Sequence, residues 1–130
     1  MAVLCELPLL SQTNFALAFT GQEARAVVAD FGANAPTTEI TIEFWQRSES
    51  ASDRGIVSVN SDVGSNNRIQ IQAPAADGSI HWQFGDPSHG GELVYRPTAP
   101  VVGVWTHFAF VASQRSNTMR IYRNGELEAE

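Results

Sequence analysis

Five polar side chains fall at alternate positions of two short apolar stretches: Arg68, Gln70 and Gln72 in "RIQIQ", then His81 and Gln83 in "SIHWQF". Alternation places them on one face of two extended strands. Amide, imidazole and guanidinium groups in such a row can donate to and accept from hydroxyls, which is the chemistry of sugar recognition. A sheet with one wet face needs the same residue types simply to stay solvated. A second polar group follows in the loop "GDPSHGGE", where Asp86, Ser88, His89 and Glu92 stand among flexible glycines. Catalytic spacing is harder to find. His81 and His89 lack metal-ligand spacing, and His107 lies in an apolar stretch that suits a hydrogen-bonded structural imidazole. No nucleophile elbow, phosphate loop or paired-cysteine metal motif occurs. Cys5 is the single cysteine, which excludes an internal disulfide and reads as a small apolar residue.

The elements that must position these residues are strands. Period-two alternation runs through the chain and no window sustains a helical period, so almost no helix is expected. Strands are predicted in "FALAFT", "RAVVADF", "EITIEFWQR", "GIVSVNS", "RIQIQA", "SIHWQFG", "GELVYRP", "WTHFAFVAS" and "TMRIYRNG", with a further one begun at Glu126. Turn-rich breaks separate them, including "PAADG", "PTAPVVG" and "SQRSN". A strand about every ten residues is the spacing of an all-β sandwich or barrel. Ile69, Ile71, Ile80, Trp82 and Phe84 share the inward face of the glutamine-bearing strands, and Ile40, Ile42 and Phe44 point inward from "EITIEFWQR". "WTHFAFVAS" is apolar on both faces and suits a covered central strand. Trp45, Trp82 and Trp105 all lie in strand stretches, which predicts core packing for each, although Trp45 shares its face with Glu43 and Arg47.

Composition narrows the partners. With 43% hydrophobic and 17% charged residues the chain can bury a core, and no apolar run reaches the ~18 residues of a membrane span. The net charge is −6, and all 8 basic residues are arginine. No basic stripe is present, which argues against nucleic acid as a partner. The N-terminal "MAVLCELPLL" lacks a basic leader and so reads poorly as a signal peptide.

Taken in order, "ALAFTGQEARAV", "TIEFWQRSE", "GIVSVNSD", "IQIQ", "DGSIHWQF", "GVWTHFAFVAS" and "TMRIYRNGELEA" resemble the laminin G-like and pentraxin-like branch of the concanavalin A-like lectin/glucanase superfamily. The resemblance runs from Phe15 to the end, with "EFWQR", "WTHFAFV" and "MRIYRNGEL" its most specific parts. It implies an all-β, antiparallel two-sheet jelly roll over 15–130, preceded by an N-terminal segment 1–14. It further implies binding of glycans, proteins or calcium through rim loops or a sheet face. For calcium, the resemblance points to Asn66 and Asn67, with Asn60 and Asp62 nearby, a set poorer in carboxylates than the ion favours. Polysaccharide-cleaving relatives carry acids at alternating strand positions, whereas here Glu39 and Glu43 are separated by Thr41.

The pair Asn124–Gly125 predicts a type I′ hairpin, yet only Glu126 to Glu130 follow it. Similar domains continue with further strands, so the resemblance implies that the C-terminal strands come from another chain or further copies, that this chain is the N-terminal part of a longer product, or that the fold is trimmed. An open sheet edge would follow. The expected function is a non-enzymatic module that binds a glycan or a protein partner at a cell or particle surface, using the rim loops Asp62 to Asn67 and Asp86 to Glu92 and the glutamine-rich face. A structural protein that docks by its open edge is the alternative, and a polysaccharide hydrolase or lyase the third.

Overall fold

A computed structural model describes residues 15–20, 24–27, 38–52, 56–60, 68–84 and 91–130, and the chain divides into two compact units, Met1–Asn34 and Ala35–Glu130. In the first unit, residues 15–20 and 24–27 are exposed and form no strand. The expectation for "FALAFT" and for the start of "RAVVADF" is therefore corrected, the rest of the latter lying outside the described residues. Alternation supplies an apolar face, but an extended stretch is a strand only when a neighbour completes its hydrogen-bond ladder. No described residue pairs with Phe15, Leu17 or Phe19 in that way.

Among its described residues the second unit holds eight strands: β1 (Glu39–Gln46), β2 (Val57–Asn60), β3 (Arg68–Gln72), β4 (Ile80–Phe84), β5 (Gly91–Tyr95), β6 (Thr106–Ser113), β7 (Thr118–Arg123) and β8 (Glu126–Ala129). They form two antiparallel sheets of four, ordered β1-β6-β7-β8 and β2-β3-β4-β5, and no helix occurs among the described residues. β6 is central, as its two-sided apolar pattern predicts. Its inward Thr106, Phe108 and Phe110 are buried, while His107, Ala109 and Val111 on the other face are only half-buried.

The sheets share one core. Phe108, Phe110 and Ile121 from the first meet Ile71, Ile80 and Trp82 from the second, with Ile40, Ile42 and Phe44 packed alongside. Trp82 sets its edge on Phe110 at 5.7 Å, and Phe44 stacks on Phe110 at 5.9 Å. Burial of these rings and branched chains contributes about 1.5–3 kcal/mol apiece before chain entropy is subtracted. Trp45 and Trp105 depart from their expected core positions, at 65% and 53% exposure. β1 turns the odd-numbered Trp45 outward together with Glu43, and Trp105 precedes the first residue of β6.

Two connections tie the unit together. Asn124 and Gly125 take φ of 51° and 87°, the positive values that a type I′ turn demands, so β7 and β8 form the predicted hairpin. Asn124 also grips β6, its Oδ1 accepting from His107 N at 3.0 Å and its N donating to His107 O at 2.9 Å. At the end of β1 and just beyond it, Gln46 Nε2 and Ser48 Oγ both donate to Ala73 O, and Ser52 N donates to Pro74 O. This strap fastens the first sheet to the buried turn that leaves β3.

Candidate functional site

Register assembles the polar residues on the solvent side of the second sheet. Ser58 pairs with Gln70, Gln70 with Gln83, and Gln83 with Glu92, so one row crosses all four strands. The next row runs Gln72, His81 and Val94, and Arg68 lies opposite Asn60 at the far end of β3. Gln70, Gln72, His81, Gln83 and Glu92 are thus brought together. Asp86, Ser88 and His89 lie outside the described residues, as do Asp62, Asn66 and Asn67 of the expected calcium loop.

A continuous hydrogen-bonded chain braces this face. Gly78, at φ 81°, bends the backbone between β3 and β4 so that Asp77 Oδ1 accepts from Ser79 N at 3.0 Å and from the Ser79 hydroxyl. Ser79 Oγ lies 2.6 Å from His81 Nε2. His81 Nδ1 reaches Glu92 Oε1 at 2.8 Å, and Gln83 Nε2 donates to the same oxygen at 2.8 Å. On the far side, Arg96 Nη1 donates to Asp77 Oδ2 at 3.0 Å. The bonds from the Ser79 hydroxyl and amide, reinforced by Arg96, hold the Asp77 carboxyl down to about 2 from an ordinary 3.8.

Ser79, His81 and Glu92 stand in the order of nucleophile, base and orienting carboxylate. Ser79 is only 1% exposed, however, and its hydroxyl is engaged by Asp77, so a substrate carbonyl has no approach to it. The arrangement instead fixes the orientation of Gln83 and Glu92, which suits recognition. Asp77, Ser79 and Arg96 escape the sequence reading. The first two carry a local signal, since an Asp two residues before a Ser with Gly between favours a side-chain-closed turn. Arg96 carries none, standing 19 residues from its partner.

The opposite sheet offers a different surface. Trp45 lies over the His107 ring at 5.3 Å, with Glu43 Oε2 3.9 Å from His107 Nε2. Beside them a shallow depression of about 490 Å³ is lined by Glu39, Thr41, Val111, Ser113, Arg115 and Arg120. Its charges are partly used in place: Ser113 Oγ donates to Glu39 at 3.0 Å and Arg120 pairs with Glu130. No group of three or more His, Cys, Asp or Glu that could hold a metal ion occurs among the described residues, and none of their helices is long and apolar enough to cross a membrane.

With two packed four-stranded sheets in hand, comparison with known proteins identifies the class. A laminin G-like family model, described as the concanavalin A-like lectin/glucanases superfamily, matches residues 20–130, and the chain belongs to that family. No curated protein and no solved structure matches it. The family's fold is that of binding modules and lectins in general, although the superfamily also includes glycosidases.

Proposed function

We propose that the unit Ala35–Glu130 is a non-enzymatic module that recognises a glycan or a protein partner at a cell or particle surface through the outer face of its second sheet. The observation that carries this reading is the amide row Gln70–Gln83 alongside Gln72, with Glu92 held by its bond with His81 and Gln83 by its own donation to Glu92. Side chains fixed before a ligand arrives lose less entropy on binding, and amides match the donor and acceptor pattern of sugar hydroxyls. Within the same reading, Arg68 and the loop Asp86, Ser88 and His89 extend the surface, and calcium would be held by Asn60, Asp62, Asn66 and Asn67.

The test is a glycan array read with and without chelator, comparing the native chain with Gln70→Ala and Gln83→Ala. Selective binding that falls tenfold or more in the variants, at unchanged far-UV circular dichroism, is the expected result. Uniform signal across all sugars removes the glycan half of the reading, and indifference to chelator removes calcium. A second reading rests on β8, which among the described residues pairs only with β7 and turns Leu127 outward at 52% exposure. Such an edge can accept a strand from a partner or a second copy. Native mass spectrometry across concentrations tests it, and a constant monomer mass rejects self-assembly.

A further inference from the structure

Four buried side-chain atoms have no hydrogen-bond partner among the described residues: Gln46 Oε1, Thr106 Oγ1, Arg123 Nε and Trp82 Nε1. Trp82 comes from the second sheet, whereas the other three belong to one end of the first sheet's inner face. Gln46, the last residue of β1, stands opposite Thr106, the first of β6. Side chains paired in this way have Cβ atoms about 5 Å apart. Arg123 stands opposite Phe108, the next inward residue of β6. None of the three can be satisfied by a small readjustment. Gln46 Nε2 donates to Ala73 O, and exchanging the amide oxygen and nitrogen would set two acceptors face to face, so Oε1 stays turned inward. Arg123 Nη1 and Nη2 are committed to Ala99 O at 3.4 Å and Pro100 O at 2.8 Å, which fixes where its Nε–H lies. Thr106 is 1% exposed, so its hydroxyl has no bulk solvent to meet. Polar groups buried to this degree are almost always bonded, either to protein or to ordered water.

We propose that Gln46, Thr106 and Arg123 form a binding site for one internal water molecule at this end of the sandwich. The three groups are chemically complementary to it. Gln46 Oε1 can only accept, Arg123 Nε can only donate, and the Thr106 hydroxyl can do either. A water that donates to Gln46, accepts from Arg123 and gives its remaining hydrogen or lone pair to Thr106 satisfies all three, and three bonds is the usual number for a buried water. Segments already tied together enclose the site: the strap at residues 46–52, the buried turn at Ala73 and Ala75, and the loop that Arg123 grips at Ala99 and Pro100. Arg123 both reaches the water and pins that loop, so the water couples β1 and β6 to the segment that closes the sandwich. The site is independent of the outer faces and stands whether or not the second sheet binds a glycan.

Thr106→Val tests the site by the sign of its effect, since valine keeps the shape of threonine and lacks only the hydroxyl. Were the hydroxyl dry and unbonded, removing it would relieve a buried polar group, and the melting temperature would hold or rise. With a water bound, the variant removes one of its three ligands and leaves Gln46 Oε1 and Arg123 Nε poorly served, so the melting temperature should fall by about 4 °C. Oxygen-17 relaxation dispersion of the solvent, measured on the full chain, counts long-lived internal waters and is blind to hydroxyl proton exchange. The native chain is expected to exceed Thr106→Val by the amplitude of a single water, and Thr106→Ser, which retains the hydroxyl, should match the native chain. The proposal is overturned by a melting temperature that holds or rises in Thr106→Val, by equal dispersion amplitudes in that variant and the native chain, or by a Thr106→Ser amplitude as low as that of Thr106→Val.

Discussion

Phe110 is the residue on which the two-layer packing can be tested most severely. It is fully buried and touches three other rings: Phe44 at 5.9 Å, Phe108 at 5.9 Å and Trp82, from the other sheet, at 5.7 Å. Truncation to alanine removes the ring's transfer energy and leaves a cavity between flat aromatic faces that cannot collapse far, for a cost of about 3–5 kcal/mol. The ring pairs add about 0.5 kcal/mol or more each. A loss near 4 kcal/mol is therefore expected, a large share of the roughly 5–15 kcal/mol that holds a domain folded. Equilibrium denaturation followed by circular dichroism reads this directly as a fall in midpoint at unchanged slope. Trp45→Ala is the internal control, since an outward ring over His107 should cost under about 1 kcal/mol. If Phe110→Ala lost less than about 1.5 kcal/mol, or Trp45→Ala lost as much as Phe110→Ala, the assignment of inner and outer faces would be wrong.

Two further outcomes follow from the turns. Gly125→Ala places a side chain at φ 87° and should cost about 1 kcal/mol, and Asn124→Ala should cost more because it also removes the bond to His107 N; thermal melts rank the two. Asp77 has its carboxyl lowered from 3.8 to about 2 in the folded chain, so its contribution is complete above pH 3.8 and lost as pH falls towards 2. An acid titration of the melting temperature should therefore be flatter in Asp77→Asn than in the native protein, and equal slopes would refute the role given to Ser79 and Arg96.

Strand positions were legible wherever alternation coincided with a neighbour to pair with. "RIQIQ" and "SIHWQF" became adjacent strands with their glutamines outward, and the two-sided pattern of "WTHFAFVAS" marked a central strand, because in these stretches face and pairing make the same demand. "FALAFT" alternates as cleanly, but pairing depends on residues far away in sequence, and the pattern carries no information about them. Tryptophan misled for a related reason. Its size argues for burial, yet at Trp45 the parity fixed by Ile42 and Phe44 outweighs side-chain preference. Within the candidate site the amide face could be read from spacing, whereas the bracing chain could not. Arg96 and Asp77 meet only because β5 returns beside the turn, and the bond from His81 to Glu92 depends on register between strands 11 residues apart.

The strap after β1 has a consequence for engineering the chain. Gln46, Ser48 and Ser52 report to consecutive carbonyls at Ala73 and Pro74, and Gly103 N donates to Ser48 O at 2.7 Å, so residues 46–52 have no slack. A peptide tag or epitope grafted there would have to break several of those links at once. The tip at Gln114–Asn117 is exposed, and beyond Gln114, whose N donates to Thr38 O at 2.8 Å, it is closed by local bonds, which makes Arg115–Asn117 the natural place for an insertion or a fluorescent label.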